Sequence, residues 1–344
     1  MEQQDPILST EQGTPEQLER CVSPNLDAIL GKAFPVLDQG FVRVCDYMGN
    51  EARIVQAARC SYGKGTKKVS EDRGLIRYLI RHRHSTPLEM PEITFHVRVP
   101  MDTWRQWVRH RNSSTNEYST RYSEAIDAAQ ITPANDWRRQ STMNRQGSGD
   151  NFEQDPEGAF FSVIESQHLK RTRETYEKLL KQGVAREQAR KVLSLSTYSE
   201  AYWKIDLHNL LHFLALRMDS HAQKEIRDYA TVIGEEIIAK WVPNVWEAFN
   251  DYHPMRNALS LTRLEVDVLR GLISDGASTG DLEQRPFTGA ICAAANHDWL
   301  KIKKDGSGLR RNRERDECEE KLRKLGCAIP WKNIETVKEV LGDY

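Results

Sequence analysis

The sequence predicts an α/β chain of the α+β kind, a sheet flanked by helices, with a mostly helical module appended at the C-terminal end. Three observations carry that expectation. Residues 92–99 alternate strictly, with Ile93, Phe95, Val97 and Val99 against Thr94, His96 and Arg98, the period of a half-buried strand. From about residue 160 to 240, apolar side chains recur at three- and four-residue spacing, the period of helices on a shared core. No G-x-G-x-x-G follows a strand, so a doubly wound dinucleotide-binding sheet is not indicated.

Taken in order, residues 1–35 read as a loosely ordered lead, 36–255 as the main domain and 256–344 as the appended module. A periodic segment spans Glu51–Arg59. The Gly/Lys loop Gly63–Lys68 lacks the spacing of a phosphate-binding Walker loop. Gly74–His84 has helical periodicity, and Pro100 ends the strand that follows. Asp102 or Thr103 is placed to cap a helix carrying Trp104, Trp107 and Val108. Residues 125–160 are rich in Asn, Gln, Gly and Asp and read as a polar excursion. Helices are expected over about 160–182, 186–201 and 206–218, and a fourth from Ser220 that buries Ile226, Tyr229, Ile233 and Ile237.

Bulk properties exclude several classes. The net charge of -1 over 344 residues gives no global pull toward nucleic acid, so an anionic ligand needs a local cluster of cations. The N-terminus is polar and acidic without a signal-peptide pattern, and no apolar run approaches the ~20 residues that span a bilayer. A cytoplasmic protein is expected, and its six scattered cysteines read as reduced thiols.

The unusual stretch is Arg109–Arg121, RHRNSSTNEYSTR, with three arginines, one histidine, one glutamate and no lysine in thirteen residues. A solvated charged face mixes signs at i,i+4 spacing; this one does not. Arginine binds phosphate bidentately and stacks on planar rings, and the Ser, Thr and Asn side chains add neutral hydrogen bonds. The composition points to a phosphorylated, planar ligand, with an RNA-contacting or plain surface loop as the bland alternative.

The stretch resembles the signature R-H-R-x-x-S-x-N-E-x-S-x-R of the flavin-dependent thymidylate synthases. Arg109, His110, Arg111, Ser114, Asn116, Glu117, Ser119 and Arg121 match all its specified positions. The likeness extends upstream through His84, Thr86, Pro87, Glu89 and Gln106, and downstream through Arg190, His208, His212, Arg217, Asp219, His221 and Gln223, covering roughly residues 36–250.

The resemblance implies an α/β subunit with an antiparallel or mixed sheet, assembled as a homotetramer with sites shared between subunits. It implies FAD as cofactor, dUMP as substrate, methylenetetrahydrofolate as one-carbon donor and NADPH as reductant. By position, Gln106, Arg109, Glu117, Ser119, Thr120, Arg121, Arg190 and Arg217 would hold dUMP. Ser61, Thr86, Arg109, His110, Arg111, Glu117, Asp206, His208 and His212 would touch FAD, where some members carry Asn or Arg at the last three positions. Arg217 and His84 would serve catalysis, the first by stabilising charge on the uracil and the second beside flavin and folate.

Sharper readings of single residues fail on their surroundings. Ser119 has no G-x-S-x-G elbow. His208 and His212 stand at i,i+4, but Asn209 replaces the metalloprotease glutamate and no third ligand is indicated, so no metal is expected. His96 and His221 read as structural, and Cys60 has only Arg59 beside it. Two rivals stay open: methylation of another pyrimidine nucleotide such as UMP, and a nucleic-acid adaptor built on the basic stretch 301–324. In that stretch acids interleave with the bases, as on a solvated helix, and a structural tail is the simpler reading.

Overall fold

The computed structural model describes residues 20–60, 72–141, 148–152, 156–253, 256–276 and 287–342. The chain divides into two compact units, Met1–Asn257 and Ala258–Tyr344.

In the first unit, α1 (Pro24–Asp27), β1 (Ala33–Val36), β2 (Gly40–Met48), α2 (Glu51–Cys60) and α3 (Asp72–Arg81) precede β3 (Glu92–Pro100). Then come α4 (Met101–Trp107), β4 (Ser114–Glu117), β5 (Arg138–Gln140), β6 (Ser148–Asn151), α5 (Pro156–Lys181), α6 (Arg186–Ala189) and β7 (Tyr198–Asp206). α7 (Leu207–Arg217) and α8 (Lys224–Val232) follow, the latter continuing through a π-helical segment, Ile233–Ile238, into α9 (Ala239–Trp241), before α10 (Pro243–Tyr252).

Five strands form one antiparallel sheet in the order β1-β2-β3-β7-β4, and β5 pairs with β6 in a separate ribbon. β3 and β7 pair at its centre from Glu92↔Asp206 to Pro100↔Tyr198. The register sets Ile93 opposite Ile205, Phe95 opposite Trp203 and Val97 opposite Ala201, all buried on the helix-covered face. Trp107 is driven under this face and meets Trp203 at 5.1 Å, Phe213 of α7 at 5.0 Å and Tyr229 of α8 at 5.7 Å between ring centroids. Ile226, Tyr229, Ile233 and Ile237 are fully buried, as their helical spacing requires.

Three expectations need correction. The lead is folded well before residue 35: Leu26 is fully buried, the Ser23 amide donates to the Tyr47 hydroxyl at 2.8 Å, and that hydroxyl donates to Asp27 at 2.6 Å. Residues 1–19 lie outside the described residues. The helix expected over 186–201 stops early, with α6 and a single 3₁₀ turn, Arg190–Val192, giving way to β7. The polar Ser194–Thr197 break ends it, and Ala201, Trp203 and Ile205 resume with a period of two against β3. Neither Asp102 nor Thr103 caps α4; Pro100 occupies the N-cap position and Thr103 is itself buried.

The second unit holds α11 (Arg263–Ser274), α12 (Thr288–Asn296), α13 (Arg313–Lys324) and α14 (Ile334–Leu341) around Val268, Leu272, Ile291, Trp299, Leu322 and Val337. Gly271 lets α11 meet α12 closely, since a Cβ there would stand 2.4 Å from the Ala290 nitrogen. A capping box starts α11, with Thr262 and Glu265 each accepting the other's backbone N–H.

The indole N–H of Trp107 has no hydrogen-bond partner among the described residues, so its contribution is volume and ring contact. Trp107→Ala is therefore expected to cost about 3–5 kcal/mol in the unfolding of the first unit, and Trp107→Phe markedly less. Chemical denaturation of the two variants checks this; equal losses would show that the ring contacts Phe retains contribute nothing.

Candidate active site

The residues after Trp107 leave the core abruptly, and Arg109, His110, Arg111 and Asn112 form one wall of a cavity of about 330 Å³. The opposite wall is the end of β7 and one face of α7: Ile205, Asn209, His212, Leu216 and Arg217. Spacing on α7 explains the choice, because 209, 212 and 216 recur at helical period while Leu210, Phe213 and Leu214 turn into the core. Asp206 starts α7, its carboxylate accepting the Asn209 amide at 2.9 Å and the Asn209 side-chain NH₂ at 2.7 Å. Asn209 in turn accepts from Asn112 at 3.1 Å and ties the two walls.

Among the described residues, three guanidiniums and no carboxylate line this cavity. The Arg217 Nε–H donates to His110 Nε2 at 3.1 Å, and its Nη2 donates to the Gln106 carbonyl at 3.3 Å. A ring nitrogen that accepts from a guanidinium carries no proton, which puts the neutral His110 proton on Nδ1. Burial, then the charge of Arg217 and then His212, hold the His110 imidazole down to about 4. Burial also lowers Arg217 from its ordinary value, although a guanidinium remains charged throughout the physiological range. With Nε and one Nη2 hydrogen engaged, three donors of Arg217 remain for a ligand.

Gln106 is fixed by its neighbours: its amide donates to Gln223, whose own NH₂ reaches Asp102 at 3.4 Å. The remaining residues expected on dUMP form a second group. Arg190 donates to the Thr120 hydroxyl at 3.0 Å, Arg121 pairs with Glu187 at 3.4 Å, and Ser119 caps a turn through the Arg121 amide at 3.4 Å. Arg190 is placed by the fully buried Ala189 and Tyr176 of a small separate core. Glu117 sits on β4, accepting Trp104 Nε1 at 3.0 Å and the Ser199 hydroxyl at 2.8 Å. None of Glu117, Ser119, Thr120, Arg121 and Arg190 lines the cavity.

His84, its ring 5.6 Å from Tyr78, and Thr86 are exposed on the connection between α3 and β3, outside the cavity. His208 is half-buried and likewise outside it; Asp206 serves as the cap of α7. Ser61 lies outside the described residues. Asn112 and Asn209 were missed by sequence reasoning, although both sit among residues already singled out, one in RHRN and one in HNLLH.

The chain is similar to a family of known proteins. The family model for thymidylate synthase complementing protein matches residues 43–244. The flavin-dependent thymidylate synthase of Wolbachia pipientis wMel is 51% identical over 253 residues, covering 73% of this chain and 88% of that protein. That of Gluconobacter oxydans is 49% identical over 263 residues, covering 75% and 86%. Among solved structures, the UMP/dUMP methylase PolB from Streptomyces cacaoi bound with 5-Br dUMP superposes with a TM-score of 0.57 at 31% identity, covering 65% of this chain and all of that one. The same methylase bound with 5-Br UMP gives 0.56 at 32%, covering 62% and 94%. The signature, the two-walled cavity behind it and the extent of these matches make the chain a member of the flavin-dependent thymidylate synthase family.

Proposed function

We propose that the protein methylates dUMP to dTMP, with FAD as cofactor, methylenetetrahydrofolate as one-carbon donor and NADPH as reductant. The observation that carries this reading is the acid-free cavity in which Arg217, fixed by His110 and the Gln106 carbonyl, keeps three donors unspent. A flavin nucleotide suits this donor set: its phosphates match the guanidiniums of Arg109 and Arg111, and a planar ring matches the apolar Ile205 and Leu216.

C5 of uracil is a weak nucleophile until negative charge is spread over O2, N3 and O4. Arg217 faces that charge as a planar, preorganised cation that gives up no proton. His110, neutral and tautomerically fixed, holds the guanidinium plane without competing for charge. Gln106, anchored through Gln223 to Asp102, orients the base, and Arg121 with Arg190 clamps the 5′-phosphate. Bound flavin supplies hydride transfer, which no side chain can perform. No cysteine lines the cavity among the described residues, and the reading needs no covalent protein nucleophile.

The two groups of dUMP residues become one site if the second group is donated by a neighbouring subunit, which supports a homotetramer with shared sites. UMP is the second reading, favoured by the relative's binding of both bromo-nucleotides. Catalysis is assigned to residues 36–255.

Arg217→Ala should lower dTMP formation by ~3–4 kcal/mol, several hundredfold, with Arg217→Lys rescuing only part. Rates are to be compared for dUMP and UMP at saturation with flavin content checked; an Arg217→Ala enzyme of near-normal turnover would refute the role. Arg217→Ala and Arg190→Ala, each inactive alone, should regain about a quarter of wild-type activity when co-assembled, since random mixing rebuilds that share of two-subunit sites. A mixture that stays dead places both residues in a one-chain site. A chain ending at residue 257 should keep its flavin absorbance and activity, and a folded but colourless product would mean that the assignment is too narrow.

His110 sets a pH signature. Its folded value of about 4 lies below its ordinary 6.5, so its stabilising contribution is complete above 6.5 and is lost as pH falls toward 4. The stability gap between wild type and His110→Gln should shrink on acidification across that window, read from denaturant midpoints. A constant gap would show that His110 titrates normally.

A further inference from the structure

Between α12 and α13 the chain folds into a short hairpin. Ile302 and Leu309 form its bridge, the Lys303 amide donates to the Gly308 carbonyl at 2.8 Å, and the Arg310 amide donates to the Lys301 carbonyl at 2.7 Å. Gly306 turns the chain at φ 70°, and Asp305 accepts from the Ser307 amide at 3.0 Å and its hydroxyl at 2.8 Å. The period of two puts half-buried Ile302 and Leu309 on one face and exposed Lys301, Lys303 and Arg310 on the other, with Lys304 exposed at the turn.

In sequence order this basic run merges with the acids of α13; in the fold the two are separated. Every acid of α13 has its own partner: Glu314 with Trp299, Asp316 with Arg315, Glu317 with Arg313, Glu319 with Arg323 and Trp331, and Glu320 with Lys324. Asp305, the single acid among residues 301–313, is spent on the turn. The bridge register also sets Lys301 directly opposite Arg310, an arrangement of like charges that destabilises a hairpin. Asp298, 3.3 Å from Lys301, is largely solvated and offsets little.

We propose that residues 301–311 bind the phosphate backbone of a nucleic-acid duplex. Lys301 and Lys303, two residues apart on one strand, are spaced by about 6.6 Å, close enough for both ammonium groups to engage one phosphate strand together. No aromatic residue lies within 301–311 to stack unpaired bases, which argues against a single strand. The exposed large apolar residues of this unit, Leu259, Leu261, Ile273 and Leu325, lie off the hairpin, so it has no wedge for a lipid surface. The surface lies outside the matched residues 43–244 and is independent of the catalytic reading.

The test uses the full chain and a fluorescently labelled DNA duplex of about 20 base pairs, followed by anisotropy between about 50 and 200 mM salt. Three phosphate contacts predict a slope of log affinity on log salt near about -3. The triple variant Lys301→Gln, Lys303→Gln, Arg310→Gln removes these three contacts and should bind at least tenfold more weakly at the lowest salt, with a slope close to zero. Arg310→Gln alone should melt at or above the wild-type temperature while binding the duplex more weakly, which separates lost binding from lost folding. No duplex binding by the wild type, equal binding by the triple variant, or preference for a single strand or for phosphatidylserine vesicles would each overturn the proposal.

Discussion

The contact on which the site depends is the aromatic interlock of Trp107, Trp203 and Phe213. Trp203 belongs to β7, Phe213 to the α7 that follows it directly, and Trp107 ends the distant α4, so α4 is locked to the β7–α7 pair by rings at 5.0–5.1 Å. Both cavity walls hang from it. Arg109 follows Trp107 by two residues, His212 precedes Phe213 by one, and Arg217 lies one turn beyond. A close-packed interior yields little to strain, so the spacing of His110 and Arg217 inherits the stiffness of the core below.

That stiffness carries an electrostatic cost. Bringing Arg109, Arg111 and Arg217 around one acid-free cavity stores repulsion that no internal carboxylate relieves. The chain limits the cost locally. His110 is kept neutral between Arg217 and His212, and it accepts a hydrogen bond where a second cation would otherwise stand. Asp206 and Asn209 tie the walls by neutral or capping contacts, leaving the guanidinium charge unspent. The unspent charge is what a phosphorylated ligand would meet.

Legibility in the sequence followed the locality of the physics. β3 was readable because its alternation depends only on having one buried face. β7 was not, because Val192, Leu193 and Leu195 carry a helical spacing right up to a strand whose identity rests on β3, some hundred residues upstream. The signature residues were legible as a set, yet their division into a cavity group and an Arg190–Thr120 group depends on where Trp107 is anchored. Asp206 illustrates a competing rule. The resemblance suggested a cofactor contact, while an aspartate immediately before an apolar helical run is also the strongest kind of N-cap, and its carboxylate is engaged in that task.

The position of β4 connects the fold to assembly. It lies at the sheet edge, pairs among the described residues with β7 alone, and has all four of its residues exposed, so its other edge is open beside Glu117 and the Ser119–Arg121 turn. Exposed strand edges invite pairing with other chains and are normally blunted or covered. Here the same edge carries the residues that the cavity lacks. An assembly that covers β4 would thus remove an aggregation-prone edge and bring the second group of dUMP residues to a neighbour's Arg217 in one step. Stability of the oligomer and completion of the site would then be the same free-energy event, so weakening the β4 contact should reduce ligand affinity and assembly together.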